Sequence, residues 1–377
     1  MDLRRVRALS SGTGVTVAVI DTGVDPNTRL PNLVGGGDYV QSGGDGLSDC
    51  DAHGTLIAGI IGAAPDAVDA FGGVAPDAHI ISIRYRSGAY AAEGYTNYDA
   101  AQQLSTQIRI MARAITRAAE LNADVITIAL PVCVPAGLGV DQSTLSAAIN
   151  YATQVKGALI VAGAGDAGNG CEQNPEIDPG RPADPRNWNG VKTISSPGWY
   201  STAVLTVGCT TATGEAMAES LAGPWVSVAA PGTGVESLGP GGGGLINGRG
   251  EPGKLAAVGG ASFAAAYASG VAALLRSRFP NESPTDIAAR LQASAHAPAR
   301  TIDNSVGAGL IDPLAALSYR IAPVAPAGLY SGAVLDIPAP PRAKDQRPGI
   351  TALCVIVVAV LLGVGSNAVF STHRRRR

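Results

Sequence analysis

Three polar residues, far apart in the sequence, stand where their side chains could act together in catalysis. Asp21 ends the apolar run VTVAVID, His53 opens the segment HGTLIAGIIG, and Ser262 opens the Ala-rich segment SFAAAYASGVAALL. A serine hydroxyl is a weak nucleophile at neutral pH and needs a neighbouring histidine to take its proton. That histidine needs a carboxylate to fix its tautomer and to stabilise the imidazolium. The three residue types therefore match nucleophilic hydrolysis of an acyl bond.

Each of these residues, taken alone, also has an ordinary structural explanation. Ser262 suits the N-cap of a helix, Asp21 suits a turn, and His53 suits a solvated surface. The chain has four histidines, and the other three lie in a strand start, a loop and a basic tail: His79, His296 and His373. Only His53 opens a helical segment after a loop rich in Gly and Asp, so it is the candidate base.

Short apolar strands alternate with helical segments along the chain. This alternation predicts an α/β protein with a doubly wound, mostly parallel sheet and helices on both faces. Strands are expected at 15–21, 79–85, 124–130, 158–164, 204–209 and 225–232, and helices at 53–62, 98–121, 142–156, 262–279 and about 284–294. Sites in such sheets form at the carboxyl ends of the strands. The sequence therefore predicts that Asp21, His53 and Ser262 meet at one edge.

Composition and short motifs give no sign of a nucleic-acid, phosphate or zinc ligand. A net charge of −3 over 377 residues gives no general affinity for nucleic acid. The glycine run at 239–244 is not followed by the Lys-Ser/Thr pair of a phosphate-binding loop, and no Cys-x-x-Cys or His/Cys cluster indicates zinc. The sequence therefore predicts neither a cofactor nor a metal.

The C-terminal region predicts a membrane anchor. Residues 350–370 are apolar or small almost throughout, which suits one membrane crossing, and the tail 371–377 ends in four arginines. The Pro-rich stretch 321–349 reads as a linker between this span and a folded domain at 1–320. The arginines predict a single-pass protein of the cell membrane with its folded domain outside the cytoplasm. A buried core helix, and a tail-anchored protein with a cytoplasmic body, are the alternatives.

If the folded domain is exported, the protein needs an N-terminal signal peptide and its cysteines can form disulfides. The first residues, MDLRRVRALSSGTG, contain no apolar core of a signal peptide, so we expect a start further upstream or a processed chain. Cys354 falls in the expected span, which leaves four cysteines with three possible pairings, or four free thiols.

Three motifs resemble those of subtilisin-like serine proteases: VTVAVIDTGV, DAHGTLIAG and GGASFAAAYASGVAALL, in that order. Asp, then His, then Ser is the chain order of subtilisin. The resemblance covers residues 12–318 and implies that Asp21 orients His53, which deprotonates Ser262. It also implies an oxyanion donor from the Ser262 backbone and a substrate cleft formed by two strand ends, at Ala129, Leu130, Pro131, Ala162, Gly163 and Ala164.

The chain departs from the family pattern in several places. Gly260-Ala261-Ser262 replaces Gly-Thr-Ser, and Asp166 occupies the position of the oxyanion asparagine. An ionised carboxylate cannot donate a hydrogen bond. We expect Asp166 to be protonated, since burial raises a carboxyl pKa; Asn169 as the donor, and weak catalysis by a mainly structural protein, are the alternatives. Pro131 in the cleft strand predicts a narrow pocket and selective cleavage at small residues.

The stalk, the single span and the four cysteines resemble more narrowly the mycosins of type VII secretion systems. This resemblance implies the pairings Cys50–Cys133 and Cys171–Cys209. It also implies three partners: a protein substrate, a secretion complex and the membrane. The expected function is a membrane-anchored endopeptidase that cleaves a secreted protein. A protease-shaped subunit that stabilises the complex is the rival interpretation.

Overall fold

A computed structural model describes residues 3–90, 99–168, 170–242, 244–250, 254–299, 302–321, 323–324 and 356–358. The chain divides into two compact units, Met1–Pro338 and Ala339–Arg377. In the second unit only 356–358 are described, and they are helical. Most of the expected linker and span therefore lies outside the described residues. Within the described part of the chain, no helix is long and apolar enough to cross a membrane.

Among the described residues of the first unit there are thirteen strands, most of those in the main sheet formed by short runs rich in β-branched residues. They are β1 (Thr16–Asp21), β2 (Leu33–Asp38), β3 (His79–Arg84), β4 (Val125–Ile128), β5 (Val132–Pro135), β6 (Leu159–Gly163), β7 (Thr193–Ser196), β8 (Val204–Thr210), β9 (Val226–Pro231), β10 (Ser237–Leu238), β11 (Leu245–Ile246), β12 (Gly248–Arg249) and β13 (Ala256–Ala257).

Seven of these strands make one parallel sheet in the order β2-β3-β1-β4-β6-β8-β9. Asp21 pairs with Arg84 across β1 and β3, and Ile128 pairs with Ala162 across β4 and β6. The carboxyl ends of β1, β3, β4 and β6 therefore lie side by side. Three two-stranded sheets, β5-β7, β10-β11 and β12-β13, lie outside the main sheet.

Seven α-helices accompany the sheet among the described residues. They are α1 (Leu3–Arg7), α2 (His53–Gly62), α3 (Ala100–Glu120), α4 (Ser143–Asn150), α5 (Ala261–Arg278), α6 (Pro284–Ala293) and α7 (Pro313–Ser318). A π-helical turn, Tyr151–Val155, continues α4.

The sheet separates two hydrophobic cores. Val17 and Val19 of β1 belong to the core that contains α2 and α5, whereas Ala18 and Ile20 belong to the core that contains α3 and α4. Successive side chains of a strand point to opposite faces, so a strand that is apolar throughout must be covered on both. The predicted sheet with helices on both faces is confirmed.

Candidate active site

The fold brings Asp21, His53 and Ser262 together in one hydrogen-bonded chain. The Nδ1 atom of His53 lies 2.7 Å from Oδ1 of Asp21, and its Nε2 atom lies 2.9 Å from Oγ of Ser262. Asp21 is fully buried and Ser262 is 6% exposed. Residues separated by up to 209 positions thus meet within hydrogen-bonding distance. A carboxylate can only accept, so Nδ1 carries the proton and Nε2 is left to accept from the serine hydroxyl.

His53 is placed by the first turn of α2, which other side chains cap. The backbone N–H of Gly54 donates to Oγ1 of Thr22 at 2.9 Å, and the N–H of Thr55 donates to Oδ2 of Asp49 at 2.8 Å. The hydroxyls of Thr22 and Thr55 also donate to Asp49, at 2.8 and 2.7 Å. These bonds satisfy helix N–H groups that have no intrahelical acceptor. They tie the helix that carries His53 to the residue after Asp21.

The electrostatics around His53 favour its cationic form. Burial lowers the pKa of the imidazole, but the charge and hydrogen bond of Asp21, with a further contribution from Asp49, outweigh burial and raise the pKa above its usual value. Arg86 acts in the opposite direction. The site is therefore built to stabilise the imidazolium that forms when a serine proton is taken.

Ser262 is the second residue of α5. In the first turn of a helix the backbone N–H groups have no intrahelical acceptor, and this holds for the Ser262 N–H. The neighbouring Phe263 is 4% exposed, and its ring lies 5.3 Å from the His53 ring, centroid to centroid. Phe263 thus holds the imidazole from the side of the helix that presents the serine.

The predicted cleft residues lie at two adjacent strand ends. Ala129, Leu130 and Pro131 follow β4, and Ala162, Gly163 and Ala164 end or follow β6. A Cβ atom at Gly163 would lie 2.9 Å from the Ala129 carbonyl oxygen and 3.1 Å from that of Ala261. Only glycine allows this close approach. It brings both strand ends next to the residue before Ser262.

Asp166 lies beside the start of α5. Its Oδ1 atom accepts the N–H of Ala261 at 3.0 Å, and a Cβ atom at Gly260 would lie 2.9 Å from its Oδ2 atom. Burial raises the pKa of its carboxyl, although the Ala261 N–H and His53 oppose the shift. Asp166 is nevertheless an exposed residue, so its carboxyl is only partly desolvated. The alternative donor, Asn169, lies outside the described residues.

The cysteine pairing differs from the expectation. A disulfide joins Cys133 to Cys171, whereas Cys50 is free and exposed and Cys209 is free and buried. Both expected bridges, Cys50–Cys133 and Cys171–Cys209, are therefore wrong.

The positions of three of these cysteines are consistent with the observed pairing. Cys133 lies in β5, just past the β4 end of the cleft, and Cys171 closes a tight turn with Gly168 just past the β6 end. Cys209 instead lies inside the main sheet, 1% exposed, where burial raises the pKa of its thiol to about 11. The bond thus links strand β5 to the turn at Cys171, which follow the two strand ends of the predicted cleft.

Reasoning from the sequence missed several residues that hold the site in place. Asp49 and Thr22 cap α2, and the buried Tyr85 donates its hydroxyl hydrogen bond to the Leu130 carbonyl. Asp49 had a readable signal, since an aspartate shortly before a helical segment is a frequent cap. Tyr85 had none, because its partner lies 45 positions away.

A buried carboxylate, an imidazole and a serine at the start of a helix, at the carboxyl edge of a parallel sheet, define the class of subtilisin-like serine peptidases. Comparison with known proteins agrees with this class. The subtilase family model matches residues 12–309. Mycosin-1 of Mycobacterium tuberculosis is 44% identical over 373 residues, which cover 98% of this chain and 82% of that protein. Mycosin-1 of Mycolicibacterium smegmatis is 43% identical over 382 residues, covering 99% and 84%.

Solved structures show the same likeness. The crystal structure of MycP1 from Mycobacterium smegmatis has a TM-score of 0.82 at 45% identity, over 85% of this chain and 83% of that one. A chain of an intact ESX-5 inner membrane complex has a TM-score of 0.82 at 44% identity, over 99% of this chain and 88% of that one. The chain belongs to the subtilase family of serine peptidases and, within it, to the mycosins.

Proposed function

We propose that the protein is a membrane-anchored endopeptidase that cleaves a protein handled by a type VII secretion system, through Asp21, His53 and Ser262. The observation that carries the proposal is the unbroken chain of hydrogen bonds from Asp21 through His53 to Ser262, at 2.7 and 2.9 Å. These distances are within the reach that proton transfer requires.

In the proposed first step, Ser262 Oγ attacks the carbonyl carbon of the peptide bond while its proton passes to Nε2 of His53. The C–O bond forms, and the carbonyl π electrons move onto oxygen. Asp21 does not take a proton; its charge stabilises the imidazolium through the Nδ1–H bond. The raised pKa of His53 fits this role.

In the second step, the C–N bond breaks and His53 gives its proton to the leaving amine. Water then attacks the acyl-enzyme, with His53 again as base, and releases Ser262 and a carboxylate. The same two hydrogen bonds serve both halves of the reaction.

The oxyanion of each tetrahedral intermediate needs two donors. The Ser262 backbone N–H is one, and we assign the second to Asp166 in its protonated form. Oδ1 of Asp166 is already an acceptor for the Ala261 N–H, so the proton belongs on Oδ2. The raised pKa of Asp166 supports this assignment.

Substrate selectivity is proposed to come from Ala129–Pro131 and 162–164. Pro131 has no N–H to offer a substrate backbone, and its ring adds bulk near the pocket for the residue before the cut. We therefore propose cleavage after small residues.

The proposed location in a membrane-bound secretion complex is based on the similar proteins. Curated mycosins match nearly the whole chain, and chains at 44–46% identity occur in structures of ESX-5 inner membrane assemblies. The apolar stretch 350–370 and its arginine tail supply the proposed anchor.

A fluorophosphonate probe tests the proposed chemistry directly. The full chain should be labelled on Ser262, and it should cleave peptides with a small residue before the cut. Ser262→Ala should lose both properties, whereas Ser269→Ala, in the same helix, should keep them. Equal labelling of wild type and Ser262→Ala would contradict the proposal.

A second candidate function is support of the secretion complex without cleavage. The carboxyl at position 166 and the likeness to chains of inner membrane complexes favour it. Cells that lack the protein distinguish the two functions. Secretion restored by Ser262→Ala supports the scaffold, whereas secretion restored only by wild type supports the protease.

A further inference from the structure

The segment that follows β3 connects the catalytic carboxylate to the cleft. The backbone N–H of Tyr85 donates to the carbonyl oxygen of Asp21 at 2.9 Å. Its hydroxyl donates to the carbonyl oxygen of Leu130. Tyr85 is 3% exposed. It is therefore a buried residue that connects Asp21, through two hydrogen bonds, to the segment after β4 that lines the predicted cleft. The residue after it, Arg86, must therefore emerge at the edge of the site.

The Arg86 guanidinium lies over the ring of Tyr85. Its Nη1 atom is 3.5 Å from the Tyr85 hydroxyl oxygen, and Cζ is 5.9 Å from the Tyr85 ring centroid. The same hydroxyl donates to the carbonyl oxygen of Leu130, so the Tyr85 hydroxyl lies between the guanidinium and the predicted cleft segment Ala129–Pro131. Arg86 is exposed.

Arg86 forms no ion pair with a carboxylate in the described part of the chain, although Tyr85 and, less strongly, the charges of Asp21 and Asp51 are close enough to help raise its pKa. The ion pairs found there do not include it. The two nearby carboxylates have other partners: Asp21 binds His53, and Asp51 accepts the Ser87 hydroxyl at 2.5 Å and the Gly88 N–H at 2.8 Å. Apart from Nη1, which donates to the Tyr85 hydroxyl, the N–H groups of this guanidinium have no partner among the described residues and can bind a ligand.

We infer that Arg86 forms a subsite that binds an acidic side chain of the substrate, in the stretch that pairs with Ala129–Pro131 on the amino side of the scissile bond. This inference rests on the proposed endopeptidase function. A planar guanidinium matches the two oxygens of a carboxylate, and charge-assisted hydrogen bonds are about twice as strong as neutral ones. Because Tyr85 covers one side of the Arg86 guanidinium, solvent screens the interaction between the guanidinium and a carboxylate less than it would on an open surface.

The same position makes Arg86 an electrostatic neighbour of the base. His53 is faced by Asp21 and Asp49, which raise its pKa, and by Arg86, which lowers it. A bound carboxylate would offset the charge of Arg86. Removing that charge should therefore raise the pKa of His53 even before any substrate binds.

Matched peptides test the subsite. A fluorogenic series keeps a small residue before the cut and places Glu, Gln or Lys at each earlier position in turn. At one position wild type should prefer Glu over Lys in kcat/KM by about tenfold or more, the range expected for a hydrogen-bonded charge. Arg86→Gln should remove this preference and Arg86→Glu should reverse it. Arg109→Glu, which changes an exposed arginine of α3, should leave it unchanged.

Two further measurements distinguish a failure of the Arg86 subsite from a failure of the endopeptidase proposal. Fluorophosphonate labelling of Ser262 in each variant reports an intact site, and Arg86→Gln should move the pH midpoint of labelling upward. Normal labelling with the same Glu/Lys ratio in wild type and Arg86→Glu overturns the subsite alone. Absence of Ser262 labelling in wild type overturns the endopeptidase proposal itself.

Discussion

At the scale of single residues, the site combines the Asp21–His53–Ser262 arrangement with a carboxyl, Asp166, that we propose as an oxyanion donor. Asp21, His53 and Ser262 are arranged so that Nε2 of the imidazole is left as the acceptor. Asp166, in contrast, provides a donor only when it is protonated. Protonated His53 is inactive as a base and also lowers the pKa of Asp166. The two groups therefore set opposite limits on the useful pH range.

Asp166→Asn tests the role of this carboxyl. The amide donates at every pH, whereas the acid donates only below its pKa, so the variant should gain most at alkaline pH. In subtilisin one oxyanion donor contributes about 10²–10³ in rate, and we expect a gain that approaches about 10²-fold above neutrality.

The measurement for Asp166→Asn is kcat against pH on one peptide, with Asp77→Asn as a surface control. The advantage of Asp166→Asn should shrink as the pH falls. A variant no faster than wild type at alkaline pH would show that Asp166 is not the missing donor.

At the scale of elements, the periodicity of apolar residues was enough to predict most of the sheet. The strand expected at 15–21 is Thr16–Asp21, and the helix expected at 53–62 is His53–Gly62. Strand β2 was missed because its sequence, LVGGGD, has three glycines and lies at the edge of the sheet. Such a strand depends on its neighbour β3 and carries little local signal.

The sequence also predicted part of the site. The part that it did not predict depends, like β2, on contacts between distant segments of the chain. The motif residues at strand and helix ends could be placed from the sequence, because the carboxyl ends of parallel strands share an edge. The disulfide could not, since a pairing depends on Cα positions that the order of cysteines does not fix. The likeness to mycosins suggested two bridges, and the geometry gives Cys133–Cys171.

Capping of α2 should contribute measurably to stability. Asp49→Ala leaves the Thr55 N–H and two threonine hydroxyls without their acceptor, which should lower the free energy of unfolding by about 2–4 kcal/mol. Urea denaturation with the disulfide intact measures this loss. Asp49→Asn keeps one acceptor oxygen and should lose less; equal stability of wild type and Asp49→Ala would contradict the capping role.

The disulfide should stabilise strand β5 and the turn at Cys171, which follow the two strand ends of the proposed cleft. Its 38-residue separation predicts a loss of about 3–4 kcal/mol in Cys133→Ser, according to the chain-entropy estimate. Thermal unfolding gives the size of the effect, and peptide mapping without reductant identifies the pair. Cys50→Ser is the matched control and should not change stability. A peptide that links Cys133 to Cys50 would refute the assignment.

At the scale of the whole molecule, the proposed anchor separates the catalytic unit from the C-terminal tail. The stretch 350–370 has the length and composition of a membrane crossing. A chain that ends at residue 349 should be released by carbonate extraction, whereas the full chain should stay with the membrane. A chain that lacks only the four terminal arginines should also stay. Release of the full chain would contradict the proposed anchor.

The pH dependence of fluorophosphonate labelling tests the central claim most directly, because it reports the nucleophile and its base in one experiment. The account predicts an adduct on Ser262 whose rate of formation rises with pH. Its midpoint should lie above about 6.5, the value of an ordinary histidine, since Asp21 raises the pKa of His53. Asp21→Asn should slow the labelling severely. An adduct on another residue, or a rate independent of pH between 5 and 8 (roughly the range in which a histidine titrates), would contradict the account.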